Sequence, residues 1–169
     1  MEKFAQKIAA LETEVQAITE DKKEIRKLWS CLDFNGNGIV SLAEIDKFVI
    51  ERFPLLNQKP ALMRAYKKTT KKDGNGDDWV QKKEFKALLK NLFHFNRVFY
   101  VFDSIDKDDD RRIDLNEFKE GFTQLKMATD RSTEDIFAEI DRNGGGFILF
   151  NEFSSWYAKN LKDEELFDF

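Results

Sequence analysis

Four windows of twelve residues, each opening on aspartate and closing on glutamate, constrain this chain more than any other feature. They read DFNGNGIVSLAE (33–44), DGNGDDWVQKKE (73–84), DKDDDRRIDLNE (106–117) and DRNGGGFILFNE (141–152). The eighth place holds Val40, Val80, Ile113 or Ile148, and the residue after each glutamate is Ile45, Phe85, Phe118 or Phe153. Agreement at several places in four windows is an internal repeat, and a repeat decides the architecture before local propensities are weighed.

The flanks repeat as well. Ile25, Leu28, Trp29 and Leu32 precede the first window at offsets that hold Val98, Val101, Phe102 and Ile105 before the third. Thr133, Ile136, Phe137 and Ile140 hold them before the fourth, and this spacing is one face of an α-helix. After the windows, Ile45/Phe48/Val49, Phe85/Leu88/Leu89, Phe118/Phe122 and Phe153/Trp156/Tyr157 mark a second helical face. Each unit therefore reads as helix, twelve-residue loop, helix. Only 2 prolines in 169 residues, beside 17 phenylalanines, suit helices with short connections and an aromatic core.

Inside the loops, oxygen-bearing side chains alternate at places one, three and five. That pattern suits a hard cation such as Ca²⁺, which takes about six to eight oxygens. Place seven offers a backbone carbonyl, place nine often acts through water, and the glutamate at twelve gives two oxygens. Glycine at place six permits the turn. Over residues 25–157 the chain resembles the EF-hand proteins, which implies an all-α fold of helix–loop–helix units.

The four loops differ in completeness. The first offers Asp33, Asn35, Asn37, Ser41 and Glu44 with the Ile39 carbonyl, a full set with only two negative charges. The third offers Asp106, Asp108, Asp110, Asp114 and Glu117 with the Arg112 carbonyl, the highest charge of the four. Arg111 stands there where glycine is wanted, at a cost of roughly 1–2 kcal/mol for a left-handed residue. The second keeps Asp73, Asn75, Asp77, the Trp79 carbonyl and Glu84, with Asp78 in the glycine place. Because Asp tolerates the left-handed region, this ligand set is expected to survive. Its upstream offsets hold Ala65, Lys68, Thr69 and Lys72, so the entering helix is expected to be short, shifted or frayed. The fourth keeps Asp141, Asn143, the Phe147 carbonyl and Glu152, but Gly145 and Leu149 supply no side-chain oxygen. It reads either as a weak site or as a loop kept to support its neighbour. Two to three Ca²⁺ ions are expected in all.

Residues at place eight can form short antiparallel ladders, so Val40 is expected opposite Val80, and Ile113 opposite Ile148. Hands 1 and 2 would then make one lobe (21–94), and hands 3 and 4 a second (95–160). Ahead of them, Phe4, Ile8, Leu11, Val15 and Ile18 give residues 1–20 an amphipathic helix, expected to pack within the chain rather than form a dimer seam. Residues 161–169 read as an acidic tail. Net charge is −4 but uneven: residues 60–97 carry ten Lys/Arg against four acids, and 98–169 carry nine against eighteen. Lys67, Lys68, Lys71, Lys72, Lys82, Lys83, Lys86 and Lys90 thus form a candidate docking patch for acidic lipid or an acidic protein segment.

Other functions find little support. No glycine-rich phosphate loop, nucleophile elbow or Cys/His cluster appears, so no enzyme and no nucleic-acid partner is expected. His94 reads as a core or solvated residue, and the single Cys31 as a small buried one. No signal-peptide core or membrane-length apolar run is evident, which points to a cytoplasmic protein.

Two longer stretches, FDSIDKDDDRRIDLNEFKEGF (102–122) and IFAEIDRNGGGFILFNEFSSWYAK (136–159), resemble the flagellar calcium-binding proteins (calflagins) of protists. The resemblance implies a location in a cilium or flagellum, a basic N-terminal lobe that supports membrane association, and calcium in the C-terminal pair. Those proteins carry an N-terminal glycine for myristoylation, whereas this chain begins MEKF, so either the lipid-anchored role does not transfer or the chain is a divergent or soluble relative. The function expected is a Ca²⁺ sensor that engages a protein target or acidic membrane surface. A Ca²⁺ buffer is the alternative, and so is an adaptor working through the N-terminal helix.

Overall fold

The computed structural model describes residues 2–160, with side chains from residue 6 onward. The acidic segment 161–169 and the Phe4 side chain lie outside the described residues. The chain is mostly helical and divides into two compact units, one up to Arg97 and one from Val98.

In the first unit, α1 (Glu2–Glu20) leads into α2 (Lys22–Leu32), whose N-terminus is capped by the Asp21 carboxylate accepting from the Lys23 N–H at 2.7 Å. Strand β1 (Ile39–Val40) and α3 (Leu42–Arg52) follow, then a short turn at Pro54–Leu56 and α4 (Lys59–Lys67). Strand β2 (Val80–Gln81) pairs antiparallel with β1, Val40 opposite Val80. Ile8, Leu11, Val15 and Ile18 of α1 are all buried. Glu14 pairs with Arg52 and Glu12 with Arg97, each at 3.0 Å. The apolar stripe of α1 is thus spent inside its own unit. Trp29, Phe48 and Phe53 gather with Phe85 in edge-on contacts 5.6–6.1 Å between centroids.

Helix α5 (Phe85–Ile105) is one continuous element of 21 residues. Its first part leaves the second loop and its last turns enter the third, so the division after Arg97 falls inside a helix rather than at a connection.

The second unit continues with β3 (Arg112–Ile113), α6 (Leu115–Gly121), α7 (Thr133–Ile140), β4 (Ile148–Leu149) and α8 (Phe150–Asn160). Strands β3 and β4 pair antiparallel, Ile113 opposite Ile148. All four place-eight residues and all four residues after the closing glutamates are fully buried. Phe102, Phe150 and Phe153 form the aromatic centre, with Phe118 against Phe137 beside it.

One expectation needs correction, and another is narrowed to one of its alternatives. Cys31 is exposed rather than buried, because Leu28, Trp29 and Leu32 take the core face of α2 and leave residue 31 outside it. The helix entering the second loop is shifted rather than frayed. Its last turn, Lys68–Lys72, is a π-helix, in which the Asp73 N–H reaches back five residues to the Lys68 carbonyl at 2.9 Å. Thr69, at an offset that is buried before the other loops, is fully buried, and Thr70 next to it is buried as well.

Candidate metal centres

Each loop closes through its glutamate. In loop 1 the Glu44 carboxylate accepts from the Ser41 N–H at 2.9 Å, while the Glu44 N–H donates to the Ser41 hydroxyl. Asp114 and Glu117 make the same reciprocal pair, and in loop 2 the Gln81 N–H donates to the Glu84 carboxylate at 2.8 Å. Places nine and twelve are therefore also N-cap and N3 of the exiting helix, a capping box. In loop 4, Leu149 has no capping side chain, yet its N–H still reaches Glu152 at 3.0 Å. The second glutamate oxygen turns back across the loop. It takes the Asn75 N–H at 3.1 Å, the Lys107 N–H at 2.8 Å or the Asn143 N–H at 3.3 Å, and in loop 1 the Asn35 side-chain amide at 3.2 Å.

Three loops share one backbone shape. Places four and six are left-handed in loop 1 (Gly36 and Gly38), loop 3 (Asp109 and Arg111) and loop 4 (Gly144 and Gly146). In each, the place-six N–H donates to the opening aspartate: Gly38 to Asp33 at 3.0 Å, Arg111 to Asp106 at 2.8 Å, Gly146 to Asp141 at 2.8 Å. Arg111 thus adopts the strained conformation its position demands, at a φ of 66°.

Loop 3 converges most. Asp106, Asp108 and Glu117 each bring a carboxylate oxygen within 4.8 Å of the others, the one such acidic group among the described residues. Asp106 Oδ1 is buried and finds no hydrogen-bond partner, a costly state that a cation at this point would relieve. Burial pushes the Asp106 carboxyl above the ordinary aspartate value, with the Arg111 N–H acting against it. The donor set therefore fits Ca²⁺. Asp110 turns instead to the Arg112 guanidinium at 2.6 Å, which holds its carboxyl below the usual range, and Asp114 caps α6.

Loop 1 brings its members together through hydrogen bonds rather than charge. Asn35 Oδ1 and Asp33 Oδ1 both accept from the Asn37 N–H, Asn37 Oδ1 accepts from the Ile39 N–H, and the Ser41 hydroxyl donates to Glu44. In loop 4, Asp141 and Asn143 both accept from the Gly145 N–H. A Cβ at Gly145 would lie 2.6 Å from Asn143 Oδ1, so a side chain at place five would require that amide to shift.

Loop 2 differs. Gly76 at place four is left-handed, but Asp78 at place six is not. Asp73 Oδ2 instead accepts from the Lys68 ammonium at 2.8 Å and the Asn91 amide at 2.9 Å. Asn91 first and Lys68 second hold the Asp73 carboxyl below its ordinary value. Asp77 accepts from the Asn75 amide at 2.8 Å. Fixed sequence offsets cannot show this arrangement, because the π-turn moves Lys68 relative to the loop. The one available signal was the lysine in an otherwise apolar place.

Of the eight patch lysines, seven are exposed and Lys68 is half-buried. Lys71 pairs with Asp78 at 2.8 Å. Trp79 and Phe34, both in loops of this unit, are also exposed. His94 stands edge-on to Phe95, half-buried. No described helix is long and apolar enough to cross a membrane.

Comparison with known proteins agrees with the geometry. The family model for an EF-hand domain pair matches residues 95–158. The flagellar calcium-binding protein TB-24 of Trypanosoma brucei brucei is 32% identical over 152 residues, covering 81% of this chain and 68% of its own length. TB-17 of the same organism is also 32% identical, with 81% and 64% covered. The flagellar calcium-binding protein of Trypanosoma cruzi is 29% identical over 139 residues, with 80% and 64% covered. The chain thus spans about two thirds of the length of these relatives.

Proposed function

Because the chain belongs to the flagellar calcium-binding protein family and is a calcium-binding EF-hand protein, we propose that it is a Ca²⁺ sensor built from four hands, paired 1–2 and 3–4 behind an N-terminal helix. The observation that carries this is loop 3, where three carboxylates converge around a buried oxygen with no partner. Asp106, Asp108 and Glu117 would hold the ion there, with the Arg112 carbonyl. Asp33, Asn35, Asn37, Ser41, Glu44 and the Ile39 carbonyl would hold a second in loop 1. Loop 4, through Asp141, Asn143, Glu152 and the Phe147 carbonyl, would take a third more weakly. Bound calcium supplies charge neutralisation and cross-linking within each loop.

The sensor reading draws support from the glutamates. Each is at once a candidate ligand and bonded to the backbone where the exiting helix starts, so a carboxylate that shifts its oxygens shifts that helix. The target would be an acidic membrane surface or acidic protein segment in a cilium or flagellum, met by Lys67, Lys72, Lys82, Lys83, Lys86 and Lys90. The buried stripe of α1 offers little to a partner, which disfavours the adaptor reading.

Calorimetric titration of the full chain with Ca²⁺ is expected to show at least two equivalents; no heat at millimolar calcium removes the reading. Calcium-induced binding of a hydrophobic dye supports the sensor, and its absence a buffer, whose hands barely open.

A further inference from the structure

Loop 2 carries aspartate, asparagine, aspartate and glutamate at places one, three, five and twelve, a ligand set that would be expected to bind as loop 1 does. We propose that Lys68 is the residue that denies loop 2 a calcium ion: its ammonium takes the charge-neutralising place on Asp73, and the hand is closed without metal. The inference rests on the calcium-binding reading of the other loops and concerns how one hand is excluded from it.

Four observations bear on it. First, the π-turn at Lys68–Lys72 brings Lys68 beside the loop, whereas loops 1, 3 and 4 have Leu28, Val101 and Ile136 five places before their opening aspartates. Second, the contact is a closed network. Lys68 Nζ donates to Asp73 Oδ2 at 2.8 Å and to Asn91 Oδ1 at 3.1 Å. Asn91 Nδ2 lies 2.9 Å from both Asp73 Oδ2 and the Thr69 hydroxyl, and that hydroxyl donates to the Ala65 carbonyl at 2.8 Å. Thr69 and Asn91 are buried, so the ammonium is held from its core side.

Third, the backbone is not in the shape of the other loops. Asp78 is not left-handed, and Asp73 receives no N–H from place six, the bond that orients the opening aspartate in loops 1, 3 and 4. Fourth, place two of the loop is crowded, and its far end is tied to Lys71. A Cβ at Gly74 would lie 2.4 Å from Glu84 Oε1 and 2.5 Å from the Thr69 carbonyl. Lys71 donates to the Gly76 carbonyl at 2.8 Å while pairing with Asp78.

The chemistry is a substitution of one cation for another. An ammonium satisfies one carboxylate with three directional donors, whereas Ca²⁺ needs most of the loop's oxygens at once. A divalent ion approaching Asp73 meets a like charge already seated there, together with a loop whose place-six geometry is wrong. Loop 2 then serves loop 1 as a standing partner across the Val40–Val80 ladder, independent of calcium.

Two measurements on the full chain decide this. Terbium emission excited through tryptophan reads loop 2 directly, because Trp79 stands at place seven of that loop. In a Glu44→Gln background, which removes ion binding by the paired loop 1, the signal is expected to be unchanged by Trp79→Phe; a signal lost in that variant overturns the proposal. Calcium counting by calorimetry is the second. Lys68→Met with Asp78→Gly is expected to gain one equivalent over the wild type, and Glu84→Gln added to that pair to remove it. A folded double variant that gains nothing overturns the proposal. Should the pair not fold, Lys68→Met alone is expected to raise Trp79-sensitised terbium emission, and no rise overturns it. Absence of heat from the wild type together with one equivalent in the double variant would sink the calcium reading and uphold this inference.

Discussion

Asp73 and Asp106 open two loops that share aspartate at places one and five and glutamate at place twelve, yet they live in opposite surroundings. Asp73 is met by an ammonium and an amide that satisfy its charge. Asp106 is buried beside two further carboxylates and keeps one oxygen without a partner. The comparison teaches that a loop's demand for a cation is set by what the flanking helices leave unpaired, and not by the twelve residues alone. In loop 2 the demand has been met from within. In loop 3 it has been concentrated, and the left-handed Asp109 and Arg111 add backbone strain.

The largest test removes the acid that completes loop 3. Glu117→Gln is expected to weaken the tightest class of calcium site about 100-fold, on the order of 3 kcal/mol, the scale for breaking a desolvated charged contact. Glu152→Gln in loop 4 is expected to do much less, and equal effects in calorimetry would erase the contrast between the loops. A smaller gain should come from relieving strain. Arg111→Gly is expected to stabilise the metal-free protein by about 1 kcal/mol, because Arg111 already stands at a positive φ there and glycine adopts it without penalty. Unchanged melting of the metal-free protein would mean that the turn stores nothing.

The smallest effect is on pH, and the two aspartates should contribute with opposite sign. Asp106 is raised, so in the metal-free protein its stabilising share is complete below the ordinary aspartate value of about 3.9 and is lost as pH rises through its folded value. Asp73 is lowered, so its share is present above that ordinary value and is lost as pH falls through its folded one. Urea melts of Asp106→Asn and Asp73→Asn against the wild type, over about pH 3 to 6, are expected to give differences that slope in opposite directions. Each should be below about 1 kcal/mol, given the solvent screening around partly exposed groups.

Much of the architecture could be read from the letters because the repeat imposes a register. The buried place-eight residues and the apolar residue after each glutamate follow from it, and Val40 does meet Val80. What the letters hid was a one-residue insertion. At fixed offsets Lys68 looked like damage to a helix, whereas the π-turn makes it a partner of Asp73. Likewise five acids in loop 3 suggested five inward ligands, but Arg112 draws Asp110 away, a contact between residues two apart that spacing rules do not weigh. The division between the units, expected from the loop pairing after residue 94, falls after Arg97, within the unbroken α5.

The closing glutamates have a consequence in time as well as in energy. In loop 3, Glu117 Oε1 holds the N–H groups of both Lys107 and Asp108, while Oε2 holds that of Asp114. In loop 1, the matching oxygen of Glu44 takes a single side-chain amide. An ion arriving at loop 3 must wait for backbone bonds to let go, and an ion at loop 1 for one rotation of an asparagine. Association is slower wherever binding requires such rearrangement. Calcium is thereby expected to load loop 1 faster than loop 3, a difference that stopped-flow mixing of the full chain with calcium would read.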